Sequence, residues 1–364
     1  MSAPRAAVFA YSSVGCVCLE ALLEGGVEVA AVYTHEDDPG EERWFRSVAD
    51  LARSRGLTVL TPERLEPEEE RLRALAPDLI FSFYYRALIP EAILSLAPLG
   101  AFNLHGSLLP RYRGRACVNW AVLNGETETG VTLHRMTARA DRGRIVDQAS
   151  VPIGPDDTAH DVLLKLIPRA AEVLRRSLPA ILAGRAEGAE QDESRATLFG
   201  RRRPSDGLMD WTQDARTLHN LVRAVAPPFP GAFTFCGGRK LFVWRTRAAE
   251  EAGVSGAEPG TVLASEPLAV AAGSGALTIT SARWEDEDGE SGAPRLPAGP
   301  RNSGSTAGSG TPPRRGRSVP SATASGRGRY AKASLCFRYR KSPLRREPKG
   351  LAARESGEMR SGLS

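Results

Sequence analysis

Cysteine is scarce: five in 364 residues, with no Cys-x-x-Cys pair. That is too few and too scattered for a disulfide framework or a zinc ribbon, and they read as the reduced thiols of a cytoplasmic protein. Long apolar runs are missing too. Nothing approaches the roughly 18 residues that a membrane span needs, so no membrane insertion is expected. The start, Met1-Ser2-Ala3-Pro4-Arg5, lacks the cationic, apolar and cleavage segments of a secretory leader. A dinucleotide site would need Gly-x-Gly-x-x-Gly after the first strand, but the turn there reads Ser12-Ser13-Val14-Gly15-Cys16-Val17. With no such fingerprint and no Walker lysine loop, neither NAD nor ATP is expected. His35, His134, His160 and His219 show no metal-ligand spacing and read as structural or surface residues.

The net charge of +5 is unevenly spread. Residues 293–364 hold sixteen Lys+Arg against three Asp+Glu, which leaves a balance of −8 in residues 1–292. A nucleic-acid-binding reading of the main body therefore loses its easiest support. Gly, Pro and Ser make up 19 of the 36 residues in 293–328. Such a segment cannot bury enough apolar surface to offset its ordering entropy, and residues 286–364 are expected to form a disordered Arg/Gly/Pro/Ser-rich tail. It reads either as a basic arm for nucleic acid or anionic lipid, or as an unselected or frame-shifted C-terminus.

Through residue 104, apolar strand-like runs alternate with helical stretches. Strands are expected at 6–11, 27–34, 57–60, 79–83 and 100–104, with helices at 14–23, 42–55, 67–75 and 90–96. This order argues for an α/β Rossmann-like domain with a parallel sheet covered on both faces. Two further strands, 129–136 and 144–152, and a long helix, 156–183, complete a first domain over 1–188. A charged linker is expected at 189–205. A helix at 215–226 and five short strands between 232 and 280 then suggest a small OB-like β-barrel over 206–285.

The candidate chemistry lies in Phe102-Asn103-Leu104-His105-Gly106-Ser107-Leu108-Leu109-Pro110-Arg111-Tyr112-Arg113-Gly114-Arg115. Ligands of open α/β sheets sit beyond the carboxyl ends of the strands. Asn103 and His105 are two apart, so on an extended chain they share a face. An amide that can donate to an oxyanion beside an imidazole that can move a proton suits acyl transfer. No nucleophile elbow is present, so direct attack by a substrate amine fits better than an acyl-enzyme. Asp141, in Arg139-Ala140-Asp141-Arg142-Gly143, would orient the imidazole if it lay nearby. On spacing alone, a structural histidine and a turn aspartate are the commoner readings. Arg111, Arg113 and Arg115 read either as a phosphate clamp or as solvated loop residues.

The stretch around Asn103–Arg115, with Asn124-Gly125-Glu126-Thr127-Glu128-Thr129-Gly130-Val131-Thr132, Ser82-Phe83-Tyr84-Tyr85-Arg86 and Phe199-Gly200-Arg201-Arg202, resembles the folate-dependent formyltransferases over about residues 5–285. Among them it is most similar to the formyltransferase half of a bifunctional polymyxin-resistance protein. The resemblance implies 10-formyltetrahydrofolate as the donor cosubstrate, with no metal. Carried over, Asn103 stabilises the oxyanion, His105 is the general acid/base and Asp141 tunes it. The folate would lie along Ala87, Leu88 and Ile89 and along Thr137, Ala138, Arg139, Ala140 and Asp141. Arg115 would help to bind the donor or the sugar nucleotide. The implied acceptor is UDP-4-amino-4-deoxy-L-arabinose, formylated on its 4-amine for lipid A modification.

Relatives that formylate methionyl-tRNA have a similar core. They read Gly-Ala-Ala-Pro where this chain has Gly114-Arg115-Ala116-Cys117, and Leu-Asp-Thr-Gly where it has Ala140-Asp141-Arg142-Gly143. A rival of another class is an inactive folate- or sugar-nucleotide-binding protein. Two departures bear on the site: Cys117 stands where proline is usual, and Arg142 replaces a small residue beside Asp141. The dehydrogenase-decarboxylase half of the bifunctional protein has no counterpart in this sequence.

Overall fold

Alternate residues of the first strands go to opposite faces, and both faces are buried. Ala6, Val8 and Ala10 pack into one core with Leu19 and Leu22, whereas Ala7 and Phe9 pack into another with Leu72 and Ile93. A strand apolar on both sides needs a layer of helices on each side, which is the architecture of the computed structural model. The structure describes residues 3–36, 43–249 and 257–287. Apart from its first two positions, the expected disordered tail lies outside the described residues.

Eight strands cover the first part of the chain: β1 (Arg5–Ala10), β2 (Glu28–Tyr33), β3 (Val59–Leu60), β4 (Leu79–Phe83), β5 (Gly100–His105), β6 (Arg113–Gly114), β7 (Glu128–Arg135) and β8 (Ile145–Pro152). All but β6 join one sheet in the order β3-β2-β1-β4-β5-β7-β8. Pairing is parallel as far as β5 and antiparallel between β5, β7 and β8. The helices are α1 (Ser12–Glu24), α2 (Val48–Ser54), α3 (Glu69–Leu75), α4 (Glu91–Leu94), α5 (Cys117–Leu123) and α6 (Ala159–Leu182).

Two expected helices start later than read. α2 begins at Val48 rather than residue 42, because the Ser47 hydroxyl accepts from the Asp50 amide and caps the helix there. α6 begins at Ala159 rather than residue 156, where Thr158 and Asp161 form a reciprocal capping box. The pattern also missed α5 and the small parallel pair of β6 with β9 (Leu198–Phe199).

Beyond β9, α7 (Ala215–Val225) packs on a five-stranded antiparallel sheet. Its strands are β10 (Ala232–Cys236), β11 (Arg239–Ala249), β12 (Val262–Ser265), β13 (Leu268–Ala271) and β14 (Ala276–Trp284), in the order β10-β11-β14-β13-β12. Both parts share one continuous core. Among the described residues no helix is long and apolar enough to cross a membrane.

Candidate active site

β5 carries Asn103 and His105 to its carboxyl end on one face, as their spacing predicts. The antiparallel neighbour β7 places His134 directly opposite Asn103 and Thr132 opposite His105. The loop from β7 to β8 returns Asp141 to the same spot. Asp141 Oδ1 lies 3.5 Å from His105 Nδ1 and 3.8 Å from His134 Nε2. The three residues singled out in the sequence therefore meet.

His134, read as structural or surface, is part of this cluster and is buried. Its Nδ1 faces the Arg135 carbonyl at 2.7 Å, and a carbonyl only accepts, so Nδ1 carries the proton. Nε2 then accepts from Asn103 Nδ2 at 3.0 Å. This arrangement fixes the orientation of the Asn103 amide and leaves its second N–H free to donate. Only strand register makes the pairing, and register was not readable from the residues.

His105 is also buried, and its Nε2 donates to the Tyr112 carbonyl at 2.8 Å. With Nδ1 turned to Asp141, both ring nitrogens face acceptors, an arrangement suited to the imidazolium. Burial opposes that charge, but the Cys117 sulfur, the Asp141 carboxylate and the Tyr112 carbonyl outweigh it and raise the pKa to about 9. His134 moves the other way, to about 4, through burial and the neighbouring His105 charge. The cluster thus pairs a protonated imidazole with a neutral one.

Asp141 is held from several sides. Its Oδ2 accepts from the Gly114 amide at 2.8 Å, and Gly114 adopts a left-handed φ of 97° where a Cβ would lie 2.2 Å from the Phe199 carbonyl. Arg142 does not enter the cluster, since its Nη1 donates to Glu193 at 3.1 Å. Arg113 is neither a solvated loop residue nor available to a phosphate: it is buried and bound to Gln191 and Glu193. Gln191 and Glu193 come from the segment read as a linker, which contributes directly to the walls of the site. Side-chain type alone gave no signal for either residue.

A cavity of about 470 Å³ adjoins the Asp141 loop. Leu94, Ala101 and Met136 give it an apolar side; Thr137, Ala138, Arg142 and Arg144 lie on its loop side. Of the residues expected to hold the folate, Thr137 and Ala138 line this cavity. Arg139 and Ala140 are exposed on the loop, Ala87 and Leu88 are exposed after β4, and Ile89 is buried in the second core. Arg115 is exposed, and its Nη2 donates to the Arg86 carbonyl at 3.0 Å. The Arg86 guanidinium lies over the Tyr11 ring at 4.2 Å. Two cations thus stand near the carboxyl ends of β1 and β4, the point where the strand order reverses.

Residues 5–178 match the formyl transferase family, and residues 202–293 match the formyl transferase C-terminal domain. Among solved structures, the chain is similar to the N-formyltransferase from Helicobacter canadensis in complex with folinic acid and dTDP-3-aminofucose. The TM-score is 0.62 at 20% identity, covering 76% of this chain and 99% of that one. WlaRD, a sugar 3N-formyl transferase in the presence of dTDP and 5-N-formyl-THF, gives a TM-score of 0.60 at 19% identity, covering 79% and 99%. HypX from Aquifex aeolicus in complex with tetrahydrofolic acid gives 0.55 at 20% identity, covering 79% of this chain and 45% of HypX. At these identities the likeness to the solved structures is one of fold.

Proposed function

The chain belongs to the formyl transferase family, and from that premise we propose that it moves a formyl group from 10-formyltetrahydrofolate to the amine of a nucleotide-linked amino sugar. The observation that carries this reading is the convergence of Asn103, His105 and Asp141 at the carboxyl end of β5. Asn103 keeps one N–H for the oxygen of the formyl group, where negative charge develops as the amine attacks. The His105 imidazolium, paired with Asp141, adds positive charge beside that oxygen. Collapse breaks the bond to the folate nitrogen, which takes up one proton as the amine loses one; His105 is the acid/base group assigned to this exchange, for which one ring nitrogen must turn from its partner, the Tyr112 carbonyl or Asp141.

The cavity beside Thr137 and Ala138 suits the planar heterocycle of the folate, with an apolar wall and polar groups on its loop side. Arg115 and Arg86 are the cations suited to a diphosphate. The nucleotide-sugar class gains support from the bound dTDP-3-aminofucose of the Helicobacter enzyme. Within that class, the sequence resemblance favours UDP-4-amino-4-deoxy-L-arabinose and, with it, lipid A modification and polymyxin resistance. The test is formyl transfer to three acceptors side by side: this UDP-sugar, a dTDP-linked amino sugar and methionyl-tRNA. Turnover with the UDP-sugar is expected. Turnover with methionyl-tRNA alone would overturn the acceptor class, and folate binding without any turnover would identify an inactive binding protein.

A further inference from the structure

Arg113 is only 2% exposed. Its Nη2 and Nε donate to Gln191 Oε1 at 2.6 and 3.2 Å. The other end of the same amide donates from Nε2 to the Asp141 carbonyl at 2.9 Å and to the Gly143 carbonyl at 2.7 Å. A guanidinium only donates and a carbonyl only accepts, so these partners dictate the orientation of the Gln191 amide. Glutamate at this position could not donate, and lysine could not accept. The bridge needs both functions on one side chain.

The backbone it holds would not stay in place unaided. Asp141 has a left-handed φ of 58°, a conformation that aspartate adopts more readily than most L-residues but that still needs contacts to fix it. Gly143 is pressed onto the end of β7, where a Cβ would lie 1.8 Å from the Arg135 carbonyl. Two adjacent residues thus grip Asp141 by different handles: Gly114 holds its carboxylate, and Arg113 holds its backbone through Gln191. Glu193 pairs with the outer end of Arg113, accepting from Nη2 at 2.7 Å and from Nη1 at 2.9 Å.

We propose that Gln191 is a positioning residue for the reaction: by bridging Arg113 to the Asp141 and Gly143 carbonyls, it sets the direction of the Asp141 carboxylate toward His105. The proposal rests on the reading of Asp141 as the partner of His105. It assigns a function to a segment that composition marks as a linker.

Two variants separate the halves of the bridge. Gln191→Glu keeps an acceptor for Arg113 and loses the donor to both carbonyls, while Gln191→Met removes both without adding charge. The readouts are kcat and KM for both substrates, and NMR titration of the His105 ring in Gln191→Met. We expect kcat to fall about tenfold in each variant, the scale of a slightly misplaced catalytic group, with KM for both substrates little changed. The His105 titration in Gln191→Met should move to lower pH, because the carboxylate that favours its charged form is no longer held beside it. Should Gln191→Met fail to fold, kcat of Gln191→Glu decides. Parental kcat in the folded variants, or a rise in KM with kcat preserved, overturns the proposal. The separate variant Asp141→Asn tests the underlying reading: parental turnover there would mean that the role of Asp141, rather than the Gln191 bridge, is what fails.

Discussion

The two histidines of the site differ by one hydrogen-bond decision each. His134 gives its proton to a carbonyl and offers a lone pair to Asn103, so it stays neutral; His105 faces acceptors on both sides, so it charges. His105→Ala should lower turnover by about 10²-fold or more in a formyl-transfer assay, the usual contribution of an acid/base group. Asn103→Ala should cost a similar factor, as the loss of an oxyanion donor does. Activity should fall on both sides of neutrality. At acid pH the attacking amine is protonated, and as pH rises toward about 9 the His105 imidazolium is lost. The same shifts act on stability. His134 has a folded pKa below its unfolded value, so between about 6.5 and 4 the unfolded chain binds the extra proton and stability falls with falling pH. His105 has a raised pKa, so its contribution is complete below about 6.5 and is lost as pH rises through about 9. Denaturant midpoints measured across pH should therefore show a flatter acid limb in His134→Asn than in the parent.

The α6 helix shows how far local chemistry carries an element. Its start is set by the Thr158–Asp161 box, and Thr158→Ala should cost about 1 kcal/mol in chemical denaturation. Its interior contains Pro168 and Pro179, each of which removes an intrahelical hydrogen bond. The helix persists because Val162, Leu166, Ala170, Val173 and Leu174 are buried against the sheet and α1, so packing overrides propensity. Pro168 is exposed, and Pro168→Ala should raise stability by about 1 kcal/mol or more, since alanine restores the missing donor. An unchanged or lower denaturation midpoint would show that the helix has adapted its geometry around the ring.

The two parts of the molecule are joined by partly buried polar contacts as well as by the chain. Asn119 Nδ2 donates to the Ala224 carbonyl at 2.8 Å, Arg223 donates to the Asp157 carbonyl at 3.1 Å, and His219 Nε2 donates to the Pro155 carbonyl at 3.1 Å. Arg223 is buried, and burial holds its pKa below the usual arginine value. Arg223→Ala leaves carbonyls without a donor and a void at the junction, with an expected loss of about 2 kcal/mol or more. Calorimetry should then show a broader or more divided transition than in the parent, because this contact helps to couple the two parts across the shared core.

Apolar periodicity follows from the geometry of a single strand or helix, so the order of the main elements (α5 and the short β6 and β9 aside), the doubly covered sheet and the five short strands of the second part were readable along the chain. So was the Asn103–His105 pair, because two residues apart on an extended chain means one face. The antiparallel turn at β7, the placement of His134 against Asn103 and the return of Asp141 to His105 depend on which strands lie side by side and in what register. No local pattern encodes that choice. Gln191 and Arg113 were hidden for the same reason: a glutamine in a charged segment looks solvated until the fold brings a guanidinium to one end of its amide and two carbonyls to the other.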